Sequence, residues 1–246
     1  PEVEDKVPDT RMYWETKTWN PFVGCKFQCV YCKPTFQHQV RRIGYRLDCE
    51  QCKSYEPHEH PERLRAIPKG YQTIFVCGDG DISFCRDSYL KEIVSTTLKE
   101  TYRDLNFFWQ SKNPKTFERI IPSLKNADNA YLLTTLETNR DQGYENWSKA
   151  PLPSKRYQDF LSLDYPRKVV TVEPIMAFDT TLLDWILDIN PKAFYMGMNS
   201  RPTSRNLKGF PEPKGQEIIG LMSGLHGKGI QVLLKSFHMG FQSLEP

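Results

Sequence analysis

The feature that most constrains this chain is an alternation. Short apolar runs rich in β-branched and aromatic residues recur along it, separated by longer stretches with helical spacing. The clearest run is TIFVCGDGD (73–81), closed by a Gly/Asp turn. NFFWQSK (106–112), NAYLLTTLETN (129–139), RKVVTVEPI (167–175), KAFYMGMNS (192–200) and IQVLLKSF (230–237) follow, and a first strand is expected within MYWETKTWN (12–20). Among the spacers, DSYLKEIVSTTLKETYRD (87–104) places Leu90, Ile93, Val94 and Leu98 on one helical face. KTFERIIPSL (115–124) is shorter and holds a proline. DTTLLDWILDI (179–189) opens on Asp179, a good N-cap, and KGQEIIGLMSGLHGKG (214–229) is amphipathic and ends in glycines. Strands alternating with helices predict βαβ units and a parallel sheet. About seven strands predict an α/β fold, a full or partial TIM-like (β/α) barrel. One such domain is expected over 1–246, with 41–68 a small metal-binding insertion.

The strand runs are apolar in the middle and polar at the carboxyl end. Asp79 and Asp81 close one, Lys112 the next, then Glu137 and Glu173; Asn199 and Arg201 follow another, and Lys235 ends the last. In a parallel barrel these ends gather on one face, where active sites lie. The strand aromatics Trp109, Tyr131, Phe194 and Tyr195 read as core.

Composition narrows the class. Hydrophobic residues make up 39%, charged residues 26%, and no run of about 18 apolar residues offers a membrane span. The opening PEVEDKVPDTR has no apolar signal core. Seven cysteines, an odd count, then point to metal or redox chemistry in a reducing, cytoplasmic setting rather than to a disulfide framework. The net charge of +3 is too mild to identify a nucleic-acid protein. The basic stretch QVRRIGYRL, with Arg41, Arg42 and Arg46, reads as a solvated helix face or as a phosphate contact.

The densest chemistry is GCKFQCVYCKP (24–34), with Cys25, Cys29 and Cys32 in a C-x3-C-x2-C spacing. Thiolates bind soft metals and iron–sulfur clusters, and three cysteines from one loop leave one corner of an iron–sulfur cube open. A zinc knuckle is the alternative. This spacing, with aromatic Tyr31 before the last cysteine, resembles the signature of the radical S-adenosylmethionine (SAM) superfamily. TWNPFVGC, SKNP (111–114), TLETN (135–139), VEP (172–174) and LLK (233–235) resemble one branch of it, a phage- and prokaryote-borne family of unknown function, in order over residues 18–235.

The resemblance implies a 4Fe-4S cluster on Cys25, Cys29 and Cys32, with SAM on the open iron. It implies that the GDGD turn, Gly78, Asp79, Gly80 and Asp81, meets the SAM amino group, although the triplet usual in the superfamily is absent here. Thr135 and Glu137 are the candidates for ribose, and Glu173, Asn199 and Lys112 for SAM or substrate. Lys235 is a candidate partner for an anionic group.

A second group, CEQCKSYEPHEHPERL (49–64), carries Cys49 and Cys52, then His58 and His60. C-x2-C supplies two metal ligands, and the histidines supply two more from an extended chain. Zinc is one expectation, and a second iron–sulfur cluster recruiting Cys77 or Cys85 is another. Pro61 suits the first position of a short helix. The expected function is a radical SAM enzyme served by a reductant such as ferredoxin or flavodoxin, with a nucleic acid or nucleotide the favoured substrate class. The alternative is a non-catalytic, metal-stabilised nucleic-acid-binding protein.

Overall fold

Burial of β-branched and aromatic residues sets the strands, and in the computed structural model, which describes residues 16–201 and 204–235, each expected run forms one. The parts of the expected runs before Thr16 and after Lys235 lie outside the described residues. The chain opens with β1 (Thr16–Trp19) and β2 (Phe22–Val23), then α1 (His38–Leu47), α2 (Glu50–Ser54) and β3 (His58–Glu59). The alternation follows: β4 (Thr73–Val76), α3 (Asp87–Thr97), β5 (Asn106–Gln110), α4 (Ile121–Leu124), β6 (Ala130–Thr135) and α5 (Pro153–Leu161). It continues through β7 (Lys168–Val172), α6 (Thr181–Ile189), β8 (Ala193–Gly197), α7 (Gly215–His226) and β9 (Val232–Lys235).

Seven strands form one sheet in the order β1-β4-β5-β6-β7-β8-β9, and every pair in it is parallel. Among the described residues β1 and β9 are both edges, so the barrel is partial and open. The strands β2 and β3 form a separate antiparallel ribbon, pairing Phe22 with Glu59 and Val23 with His58.

Side chains alternate across the sheet as strand geometry requires. Ile74, Val76, Phe107, Trp109, Leu132, Val170, Val172, Phe194 and Met196 face the helices and share the main core with Leu90, Ile93, Leu182, Ile186 and Leu225. Phe108, Leu133, Val169, Tyr195 and Leu233 pack on the other face, within the barrel. Each large side chain so buried contributes roughly 1.5–3 kcal/mol. Tyr131 is half-buried against the inner cluster, and the other three strand aromatics are buried, as core residues should be.

Local differences have local causes. The helix α3 ends at Thr97, so Leu98 falls at its C-cap and is exposed. The expected helix at 115–124 is a 3₁₀ turn, Pro114–Arg119, followed by the single turn of α4, which holds Pro122 with no N–H to donate. Asp179 stands one residue before the formal cap of α6, yet its carboxylate accepts from Thr181 N at 3.1 Å. Pro61 opens a short 3₁₀ turn. The helix α5, with Pro153 in its first turn, has no counterpart among the expected elements.

Candidate metal and cofactor sites

Gly24 begins the three-cysteine loop at φ +95, a backbone conformation that favours glycine. Its N–H donates to Asp79 O at 3.2 Å and its carbonyl accepts from Asp81 N at 3.1 Å, which sews the loop to the GDGD turn. The fit leaves no room for side chains: a Cβ on Gly80 would lie 2.8 Å from Gly24 O. The TWNP segment completes the tie. Asn20 Nδ2 donates to Asp79 Oδ2 at 2.7 Å, and Asp79 N donates to Asn20 Oδ1 at 3.0 Å. On its far side the loop is held by residues 147–149: Val30 N donates to Trp147 O at 2.9 Å and Lys149 N to Phe27 O at 2.6 Å.

Cys25, Cys29 and Cys32 all line one cleft at the carboxyl ends of the strands. Cys29 Sγ lies 3.1 Å from Ser148 Oγ, and Cys25 Sγ accepts from Phe27 N at 3.4 Å. The Cys32 thiol beside Cys29 favours its thiolate and outweighs burial, with the Lys112 ammonium adding to the effect. Cys25 is pushed up by burial, and then by Asp81.

Beneath the loop sits a buried charged hub. Tyr31 donates its OH to Glu137 Oε1 at 2.5 Å, and Lys112 Nζ reaches both Tyr31 OH and Glu137 Oε1. Arg156 Nη1 lies 2.7 Å from Glu137 Oε2 and donates to Thr135 O. Tyr144 OH donates to Glu137 Oε2 at 3.3 Å. Burial opposes ionisation of Glu137, but the Arg156 and Lys112 cations outweigh it and hold the carboxyl at about 2. Lys112 stays protonated against burial because Cys29 and Glu137 face it. Two cations against one carboxylate leave the hub positive under the thiols. Sequence reasoning singled out Tyr31, Lys112 and Glu137 but missed Arg156, Tyr144 and Ser148. A lone arginine in an amphipathic helix reads as surface, yet Arg156 is fully buried.

The remaining candidates divide. Gly78, Gly80, Asp81, Lys112, Thr135, Glu173, Asn199 and Lys235 line the cleft. Asp81 is tied in place, accepting from Ser83 N, Ser83 Oγ and Ser111 Oγ on one oxygen and from Lys112 N on the other, at 2.7–2.9 Å. Glu173 pairs with Lys235 at 2.6 Å. Glu137 lies below the cleft wall, and Asp79 faces Asn20. Arg41, Arg42 and Arg46 are exposed on α1. Two buried polar atoms on the wall, Thr171 Oγ1 and Asn199 Nδ2, have no protein partner. The Asn199 amide is oriented by Arg201 N, which donates to its Oδ1 at 3.0 Å. A buried donor and hydroxyl left unpaired in a cleft are what a polar ligand would satisfy.

The second sulfur group is compact. One ligand atom from each of Cys49, Cys52, His58 and His60 lies within 4.8 Å of the others. Cys52 Sγ is 3.3 Å from His58 Nε2 and 3.4 Å from His60 Nε2, and Cys49 Sγ is 3.5 Å from His58 Nε2. The other imidazole nitrogens are engaged, His58 Nδ1 with Glu56 O at 2.7 Å and His60 Nδ1 with Glu62 Oε1 at 2.8 Å. That arrangement turns each Nε2 toward a shared centre. Burial lowers the His60 pKa, which keeps the ring in its neutral, ligating form.

Among the described residues no helix is long and apolar enough to cross a membrane. No protein-family model matches the chain, and no curated protein matches it. Its fold is similar to the crystal structure of a radical SAM methyltransferase from Sphaerobacter thermophilus, with a TM-score of 0.52 and 12% identity over 90% of this chain. The match spans 66% of that structure, less than two thirds of its length. At this identity the likeness carries architecture alone: the chain shares an α/β partial-barrel fold with that protein.

Proposed function

We propose that this chain is a radical SAM enzyme. Cys25, Cys29 and Cys32 would hold a 4Fe-4S cluster, and the cleft beside them would hold SAM. The observation that carries the reading is that the three thiols open onto the same cleft as the polar strand ends, where Thr171 Oγ1 and Asn199 Nδ2 stand unpaired. The chemistry supplied by the bound pair is one-electron cleavage of SAM to methionine and a 5′-deoxyadenosyl radical, which takes hydrogen from a substrate carbon.

The chain's own residues position and insulate that chemistry. Asp81 faces the cleft and Asp79 does not, so Asp81 is the better acceptor for an ammonium. Thr135, Thr171 and Asn199 offer hydroxyl and amide groups for ribose or carboxylate. Phe75, Leu133 and Tyr195 supply apolar wall that excludes water. Lys112 and Arg156 hold positive charge under the thiolates, offsetting the negative charge that three sulfur ligands gather. A ferredoxin- or flavodoxin-like reductant would supply the electron. The exposed arginines of α1 support an anionic substrate of the nucleic-acid or nucleotide class. In the non-catalytic alternative the first group would also hold zinc, and the reconstituted protein would be colourless.

The test is anaerobic reconstitution of the full chain with iron and sulfide, followed by reduction in the presence of SAM. The expected result is a brown protein that forms 5′-deoxyadenosine, with both properties lost in C25A/C29A/C32A. Wild-type protein that binds no iron, or 5′-deoxyadenosine formation that survives the triple substitution, would falsify the reading.

A further inference from the structure

We propose that Cys49, Cys52, His58 and His60 bind a single zinc ion, and that this ion holds the three-cysteine loop in position. Tetrahedral zinc, with bonds of about 2.3 Å to sulfur and about 2.0–2.1 Å to nitrogen, sets neighbouring sulfur and nitrogen ligands about 3.5 Å apart. The three sulfur–nitrogen contacts here are 3.3, 3.4 and 3.5 Å. Two thiolates and two imidazoles fill a closed site, which is the structural rather than the catalytic pattern of zinc. Cys77 and Cys85 belong to the main core beside Ile82 and Tyr89 and do not join the group, so an all-thiolate second iron–sulfur cluster lacks its extra ligands.

The placement of this site gives the ion its role. The strand β3, which carries His58, pairs with β2, and β2 ends one residue before Gly24 and two before Cys25. His60 N donates to Pro21 O at 2.6 Å, extending that seam. At Gly24 a Cβ would lie 2.3 Å from Glu56 O, so the start of the loop presses directly on the metal module. The other end of the loop runs through residues 33–37 into α1, and α1 packs on α2. A Cβ on Gly44 would lie 2.7 Å from Cys52 Cβ. Between these two seams sits a small core of Val23, Val40, Cys52 and Tyr55, with Cys25 and Cys49 packed against it. Cys25 of the first group and Cys49 of the second thus pack against one small cluster, of which Cys52 is itself a member. A core this small does not order a module unaided, and metal binding is the usual means by which such modules fold.

The effect on cluster loading rests on the radical SAM reading, but the zinc content and the order of the loop do not. The experiment therefore uses the full chain as C25A/C29A/C32A, which has no cluster. Elemental analysis is expected to find one zinc per chain in this variant and in wild type, and none when C49S/C52S is added. Hydrogen exchange is then expected to be about tenfold faster or more over residues 22–47 in the zinc-free protein, with β5–β8 unchanged. His58→Cys, which keeps four zinc ligands, should retain both the metal and the protection. Iron in place of zinc at this site, a wild-type chain without zinc, or zinc loss that leaves exchange over 22–47 unchanged would each overturn the proposal. Should the triple variant show zinc and a protected loop while wild type forms no 5′-deoxyadenosine, the staple stands and the enzyme reading fails.

Discussion

The two sulfur sites of this chain follow opposite plans. Cys49, Cys52, His58 and His60 come from one short stretch, their ligand atoms already lie within 4.8 Å of one another, and the far imidazole nitrogens are engaged. Cys25, Cys29 and Cys32 also come from one short stretch, but their surroundings come from across the fold. Lys112 follows β5, Glu137 follows β6, Ser148 lies in the next connection and Arg156 sits on α5. The first site is closed by its own four ligands. The second opens on a cleft and rests on buried charge. The first arrangement is completed by local geometry, whereas the second has an electrostatic setting that no short segment supplies.

The sharpest way to break this comparison is at Glu137. Glu137→Gln leaves Lys112 and Arg156 as buried cations without their carboxylate, and removing one partner of a buried pair costs about 3–5 kcal/mol. Urea denaturation should show that loss while the zinc content of the folded protein is unchanged. A loss below about 1 kcal/mol, the level of an exposed pair, would mean that the hub is not what organises the open site. The same group predicts an acid limb. The Glu137 pKa is lowered in the fold, from 4.5 to about 2, so its contribution to stability is complete above about 4.5 and is lost as pH falls toward 2. The Gln variant should lose that part of the acid dependence.

Gly24 is where the two plans meet. Gly24→Ala is expected to cost about 1–3 kcal/mol from the positive φ alone, with the contact to Glu56 O added. It should lower zinc and iron content together. Gly70→Ala is the control, since Gly70 also has positive φ but nothing within 4 Å of an added Cβ. If the two substitutions cost the same, the close approach at Gly24 has no energetic weight. A smaller effect is expected at Ser148→Ala, which removes the hydroxyl beside Cys29 and the acceptor for Ala150 N at 3.0 Å; about 1 kcal/mol by the same denaturation assay is the expected loss, with zinc retained. The smallest is on α1. Replacing Arg41, Arg42 and Arg46 with alanine should change stability by no more than about 0.5 kcal/mol per site. If the substrate is a nucleic acid, the same variant should bind it more weakly and with a shallower dependence on salt, which a binding titration at several salt concentrations would read.

Much of the fold was legible because its signals are local. Strand runs such as TIFV and KVVTV carry their own β preference, and both sulfur groups were visible as spacings of thiols and imidazoles. Other features were hidden because they depend on distant neighbours. Tyr31 and Glu137 stand 106 residues apart in sequence and meet only when β6 comes to lie beside β5, under the loop. Glu137 reads as a cleft residue from its place after a strand, yet Arg156 from an unexpected helix draws it below the wall. Asp79 and Asp81 look equivalent in GDGD, but the first is held by Asn20 and the second faces the cleft.

By itself, then, the sequence determined a parallel α/β alternation and two sets of sulfur ligands, since propensity and ligand spacing act over a few residues. Only the tertiary structure decided that the barrel is open among the described residues and that the ribbon of β2 and β3 joins the two sulfur groups. It also decided which ionisable side chains lie buried together. Burial and Coulomb interactions belong to neighbours in space, and those are known only once the chain has folded.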